Sequence, residues 1–346
     1  MAATRSVGMT IFLSFLFILI NILNLIKQIL NPIYRLMVSG RVPVVVRTPE
    51  DRFQNLDRAG YSFSPNYVEL NGGCGVKLPR VHYIDEGPRA GPVVLCLHGE
   101  PSWSYLYRNM IPTFVENGYR VVVPDFIGFG KSDKYSSPRN YTHEMHTMVL
   151  RFLIDHLELQ EISLVCQDWG GLTGLSVVKD CPRLFANLVI MNTGLPDPVL
   201  NFDNGGLSIF SKALPFLIWR SVVLLLGTWL PVKSVFNFAF KAHNLPTNSL
   251  EGYSAPHPSP LYCGGVASWP LLVPLFKDDP VTPHMWEAKN CLKTWKKPVL
   301  LLFGDIREGW QPLSIYPIWR EEWQPRSVYT ISREGWQPLT FYPISR

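Results

Sequence analysis

Val165-Cys166-Gln167-Asp168-Trp169-Gly170-Gly171 is the stretch whose reading decides the fold. An apolar run, Ile162 to Val165, leads into it, and a small-residue, helix-like stretch, Leu172 to Val178, leads out. A polar nucleophile on a sharp strand-to-helix turn, with glycines beside it so that the backbone can bend, is the geometry of a nucleophile elbow. At the nucleophile position stands a carboxylate, Asp168, and not a serine. A solvated loop aspartate would not need the apolar lead-in, the adjacent Trp169 or the paired glycines. Gly170 and Gly171 themselves serve the tight turn.

Working outward, the runs on either side read as strands alternating with helices. Arg80 to Gly87 alternates as a strand ending at a glycine turn. Pro92 to Leu97 is continuously apolar, as a strand covered on both faces should be. It runs into His98-Gly99-Glu100-Pro101-Ser102-Trp103, a turn of the kind that presents backbone N–H groups to an anion. Ser104 to Glu116 and Tyr141 to Leu157 read as helices, and Arg120 to Asp125, Leu188 to Thr193 and Pro298 to Asp305 as further strands. Gly128-Phe129-Gly130-Lys131-Ser132 is not a phosphate loop: no later glycine completes a dinucleotide fingerprint, and the Lys-Ser pair lacks the Walker spacing. The alternation predicts a mostly parallel α/β sheet with its site at the carboxyl ends of the strands.

Five segments follow from this reading. Residues 1–46 form an N-terminal membrane anchor and linker, 47–197 the first part of the core, and 198–277 a helical cap broken by prolines. Residues 278–305 resume the core, and 306–346 form a repeat tail. The anchor rests on residues 11–30, which are apolar enough and long enough for one bilayer-spanning helix. Arg5 precedes that run while Lys27, Arg35, Arg41 and Arg47 follow it, so a single-pass protein with its catalytic domain in the cytosol is expected. Secretion after signal cleavage is the rival, disfavoured because the run is long and no small-residue cleavage site follows it closely. Leu214 to Leu230 is also apolar, but Arg220 in its middle makes it a cap helix over an apolar pocket.

With 47% hydrophobic and 17% charged residues, most of the chain is expected to be globular. The net charge of +5 comes without a basic block, which excludes a nucleic-acid partner. The six cysteines are scattered, with Cys96 and Cys166 in buried strands, and the histidines lack metal-ligand spacing, so neither a metal nor a cofactor is expected.

Four motifs in this order make residues 47 to about 304 similar to one known family. They are His98-Gly-Glu-Pro-Ser-Trp-Ser-Tyr-Leu-Tyr-Arg108, Asp125-Phe-Ile-Gly-Phe-Gly-Lys-Ser-Asp133, Gln167-Asp-Trp-Gly-Gly171 and Met191-Asn-Thr-Gly-Leu-Pro196. The chain resembles the haloalkane dehalogenases of the α/β-hydrolase superfamily. The resemblance implies an α/β-hydrolase fold with an inserted helical cap, here preceded by the transmembrane helix. It implies Asp168 as nucleophile, with Glu100 and Trp169 as the backbone N–H donors of an oxyanion hole. It also implies that the indoles of Trp169 and of Trp219, in Phe216-Leu-Ile-Trp219-Arg, hold the departing halide. A carboxylate can displace halide from an sp3 carbon in one in-line step, leaving an alkyl-enzyme ester. A donor-only indole suits a diffuse anion, since it offers no competing lone pair. The expected substrate is small and apolar, a haloalkane or an epoxide.

The second half of such a reaction needs a histidine base, which the family places after the last strand. None of the eight histidines lies beyond Phe303, and His284 precedes the last strand. The family's acid position after that strand holds Arg307; the alternative position holds Asn192, and only Asp305 is near. In their place Trp310, Trp323 and Trp336 recur every 13 residues. That tail reads as translated repeat nucleic acid in place of the true C-terminus, with a strand lost and a sheet edge bared. Two other functions stay open. One is an epoxide hydrolase-like enzyme, for which Tyr253 and Tyr262 would protonate the epoxide, against Gln167 where that family has histidine. The other is a non-catalytic homologue that binds apolar ligands.

Overall fold

The computed structural model describes residues 12–25, 44–70, 78–199, 206–239, 245–304, 327–332 and 335–338. Five strands form the parallel centre of one sheet: β4 (Val93–Leu97), β5 (Arg120–Pro124), β7 (Ile162–Gln167), β8 (Phe185–Met191) and β9 (Val299–Gly304). Their order is β9-β8-β7-β4-β5, so the chain crosses over at β4. Antiparallel β3 (Val81–Glu86) and β2 (Asn66–Val68) extend the β5 side. β1 (Val45–Val46) and β6 (Lys134–Tyr135) make a separate two-stranded ribbon.

The all-apolar runs sit where both faces of the sheet are covered. Leu95, Cys96, Leu97, Val121, Val122, Val123, Leu164 and Cys166 are fully buried. Each such leucine or valine contributes about 1.5–3 kcal/mol by leaving water, and a continuous row of them leaves no polar face on these strands. Cys96, Cys166 and Cys263 are buried free thiols, which act as small apolar side chains. Cys74 lies outside the described residues.

The helices α2 (Ile111–Glu116), α3 (His143–His156) and α4 (Trp169–Asp180) connect these strands. The helix expected from Ser104 onward is broken: a 3-10 turn covers Ser104–Tyr107, and the α-helix begins only at Ile111 with Pro112 in its first turn. Between β8 and β9 the described residues hold only helices: α5 (Gly206–Leu226), α6 (Val232–Ala239), α7 (Thr247–Ser254), α8 (Gly264–Leu272) and α9 (Thr282–Lys293).

Two expectations need correction. No bilayer-spanning helix is found among the described residues: of the 11–30 stretch they include helix α1 over 12–25, and residues 11 and 26–30 lie outside them. No helix among the described residues is long and apolar enough to cross a membrane. On the sequence alone, Asn21 and Asn24 are minor interruptions of an apolar run. In the fold both bond to Ser221 of α5, so α1 is packed against the protein.

The second correction concerns the repeat tail, expected to leave an edge bare. It supplies β10 (Ser327–Ser332), parallel to β9 from Ser327↔Leu300 to Ile331↔Gly304, and β11 (Gly335–Pro338), antiparallel to β10. The alternating Ser-Val-Tyr-Thr-Ile-Ser stretch carries the β-branched and aromatic residues that suit a strand. Asp305, Arg307, Trp310 and Trp323 lie outside the described residues.

Candidate active site

The site is built where β7 ends and α4 begins. Asp168 sits between them with φ 51 and ψ −123, a backbone conformation that side chains rarely adopt. Close packing holds it there. The Asp168 carbonyl accepts hydrogen bonds from Gly171 N at 2.8 Å and Thr193 Oγ1 at 2.6 Å. Gly170 lies against the Leu97 and His98 carbonyls, and Gly99 against the Asp168 side chain, so a Cβ at either position would collide. The two glycines thus let the β4 and β7 turns approach each other, and this brings Glu100 to Asp168.

Glu100 N donates to Asp168 Oδ1 at 2.8 Å, and the Trp169 N–H bonds the same carboxylate. Burial pushes the Asp168 carboxyl up to about 6, and these two N–H groups oppose the rise by favouring the ionised form. Burial, reinforced by the Asp168 charge, holds the Glu100 carboxyl well above the usual carboxylate range. The two N–H donors thus favour the negative charge on Asp168 over Glu100. Glu100 Oε1 is buried with no hydrogen-bond partner.

A cavity of about 10 Å³ adjoins the carboxylate, lined by Asp168, Trp169, Leu172, Asn192, Thr193, Gly194 and Val273. It is the size of one water, and Leu172 and Val273 form its apolar wall. Trp169 is almost fully buried, and its ring stacks on Trp269 of α8 with centroids 5.3 Å apart. Trp269 stacks in turn beside His98 and donates its indole N–H to His146 Nε2 at 2.7 Å. That N–H is therefore occupied.

The elbow and the turn after β4 come together as the sequence predicts, while Trp219 does not join them. Trp219 is part of α5, half-buried against the apolar core, and it does not line the cavity. Trp269 is the residue that sequence reasoning misses. It lies in an apolar helical stretch, Gly264–Leu272, where one tryptophan among small residues gives no sign of what it packs against. Asn192, at the alternative acid position, does reach the cavity, with φ 41. Tyr253 is buried elsewhere, stacked on Phe236, and Tyr262 does not line the cavity.

Each described histidine that makes a polar contact makes it away from Asp168. His82 pairs with Asp125 at 2.7 Å, and His98 Nε2 accepts from Phe126 N. His143 bonds Ser176, and His284 faces Glu144 at 3.9 Å. Burial lowers His143, His146 and His257 to about 3, so all three are neutral structural groups. His243 lies outside the described residues. Among the described residues no group of three metal-binding side chains is placed to hold an ion.

A carboxylate on a strained strand-to-helix turn, facing two backbone N–H groups, sits where an α/β-hydrolase fold has its elbow. A family profile described as alpha/beta hydrolase fold matches residues 92–211. Over 264 residues the chain is 39% identical to a haloalkane dehalogenase of Psychrobacter cryohalolentis, covering 75% of this chain and 81% of that protein. It is 40% identical over 266 residues to a haloalkane dehalogenase of Mycobacterium marinum, covering 75% and 83%. Among solved structures, the haloalkane dehalogenase DpaA of Paraglaciecola agarilytica, described as tetrameric, superposes with a TM-score of 0.66 at 36% identity, over 75% of this chain and 82% of that one. The chain belongs to the haloalkane dehalogenase family.

Proposed function

We propose that this protein attacks small haloalkanes through Asp168. The observation that carries the reading is the Asp168 carboxylate itself, ionised at neutral pH, held by the Glu100 and Trp169 N–H groups and open to an apolar-walled cavity. One oxygen attacks the carbon bearing the halogen from the side opposite the carbon–halogen bond. The carbon–oxygen bond forms as halide leaves with the bonding pair, giving a neutral ester of Asp168. Trp169 lines the same cavity, and its indole is the first donor to the halide in this proposal. Trp219 is the second donor in this proposal, brought in from α5 as substrate enters. In a closed, water-poor cavity two N–H donors stabilise the leaving anion far more than they would in water.

Hydrolysis then requires water to attack the ester carbonyl, with the oxyanion taken by the Glu100 and Trp169 N–H groups. A general base for that water is worth roughly 10²–10⁴-fold, and none of the described histidines hydrogen-bonds Asp168. The ester is therefore expected to accumulate.

Intact-mass measurement after incubation with a long primary haloalkane tests this. A stable mass increase that maps to Asp168 and is absent in Asp168→Asn is the expected result. Steady halide release without an adduct would show a complete cycle driven by a base elsewhere. Neither adduct nor halide would sink the catalytic reading and leave a ligand-binding homologue. Trp169→Phe and Trp219→Phe should each slow adduct formation; an unaffected Trp219→Phe would remove that residue from the site.

A further inference from the structure

Helix α1 is folded inside out for a helix in water. Of its two most buried positions one is polar: Asn24 is 3% exposed and donates to the Ser221 carbonyl of α5 at 3.1 Å. Asn21 donates to Ser221 Oγ at the same distance. The outward face is apolar throughout: Phe12, Phe15, Ile18 and Ile22 recur three or four residues apart, and Phe12, Phe15 and Ile18 are each more than half exposed, at 60%, 66% and 57%. In the 3-10 turn that follows α5, about two turns beyond Ser221, Trp229 is 75% exposed. A helix that turns amides toward its neighbour and phenylalanines toward the medium is arranged as helices pair in lipid.

The charge around α1 fits one kind of medium. Residues 1–49 contain no aspartate or glutamate, while Arg5, Lys27, Arg35 and Arg41 are basic; Arg47, also basic, is already paired with Asp133 at 2.8 Å. Cations flanking an apolar helix face draw it to anionic headgroups. Its inner face is packed against α5 through Asn21 and Asn24, so only the outward apolar face of α1 is free to meet lipid.

We propose that α1 and the end of α5 lie in the plane of an anionic lipid bilayer, apolar face down. This seats the helical segment between β8 and β9 on the membrane. The inference is independent of the proposed reaction.

Flotation of the full chain with phosphatidylcholine vesicles tests it, with and without phosphatidylserine. The protein should float with the vesicles that contain phosphatidylserine, and added salt should weaken binding by screening the basic flank. Phe15→Asp and Ile18→Asp change exposed side chains only, and each should weaken binding at least about tenfold while leaving the circular dichroism spectrum unchanged. Lys27→Gln should weaken binding to the anionic vesicles alone. A chain that stays with neither vesicle overturns the proposal, whether it is monomeric or self-associated by light scattering. Flotation untouched by Phe15→Asp and Ile18→Asp overturns it as well, since another surface would then be responsible.

Discussion

Asp168 is held at a cost to the fold. Its carboxyl titrates near 6 in the native protein against an ordinary value of 3.8, because burial disfavours the charge. Between those two values the native state binds more protons than the unfolded chain, so this group's contribution lowers stability as pH rises from about 4 to 6. Above that window the loss is constant. Asp168→Asn keeps the shape and removes the charge. It should abolish halide displacement while raising stability by about 1–3 kcal/mol at pH 7, since each tenfold change in proton affinity on folding corresponds to about 1.4 kcal/mol. Thermal melts of both proteins across pH check this: the gap should be small near pH 4 and fully developed by about pH 7. A gap that shrinks with rising pH would reverse the assignment. By the same titration, the rate of ester formation should fall below about pH 6 as the nucleophile is protonated.

At the scale of the element, the site depends on how closely the β7–α4 turn approaches the turn after β4. Gly170 is the point of contact, and its neighbours there are the backbone carbonyls of Leu97 and His98, which cannot swing aside as a flexible side chain would. Gly170→Ala should therefore destabilise the protein by about 1–3 kcal/mol through overpacking, and separate the Glu100 N–H from Asp168. A urea midpoint equal to that of the parent would show that the two turns have slack. The elbow was legible in the sequence because the strand, the nucleophile and the glycines are consecutive residues, and local steric rules act on consecutive residues. The break before Ile111 and the missing span at 11–30 were not. One depends on where Ser104 and Tyr105 pack against the core, and the other on a partner helix about 200 residues away.

At the scale of the whole molecule, the tail holds the edge of the sheet. β10 covers β9 over five residue pairs, and β11 covers β10. Without them β9 would present a row of unpaired N–H and C=O groups on an apolar strand, Val299–Gly304, the arrangement that recruits other chains. A chain ending after residue 305 should self-associate in a concentration-dependent way, seen as a rise in scattered light that the full chain does not show. A monodisperse shortened chain would mean that the edge needs no cover. The repeat gave no hint of this role, because its 13-residue period is too short for the helical and propeller repeats and the pairing of β10 is decided by the strand it meets.

Taken alone, the sequence determined the parallel centre of the sheet and the carboxylate at the elbow, and it marked the turn after Leu97 as one that presents backbone N–H groups. Each depends on a short run of residues whose polarity and steric freedom permit one local arrangement. Only the tertiary structure decided that Trp269, and not Trp219, stacks on Trp169, and that the described histidines bond to other groups than Asp168. It alone decided that α1 turns its asparagines inward to Ser221. Those outcomes are set by packing between segments far apart in the chain. There the burial of one side chain depends on which surface meets it, and no local pattern records that.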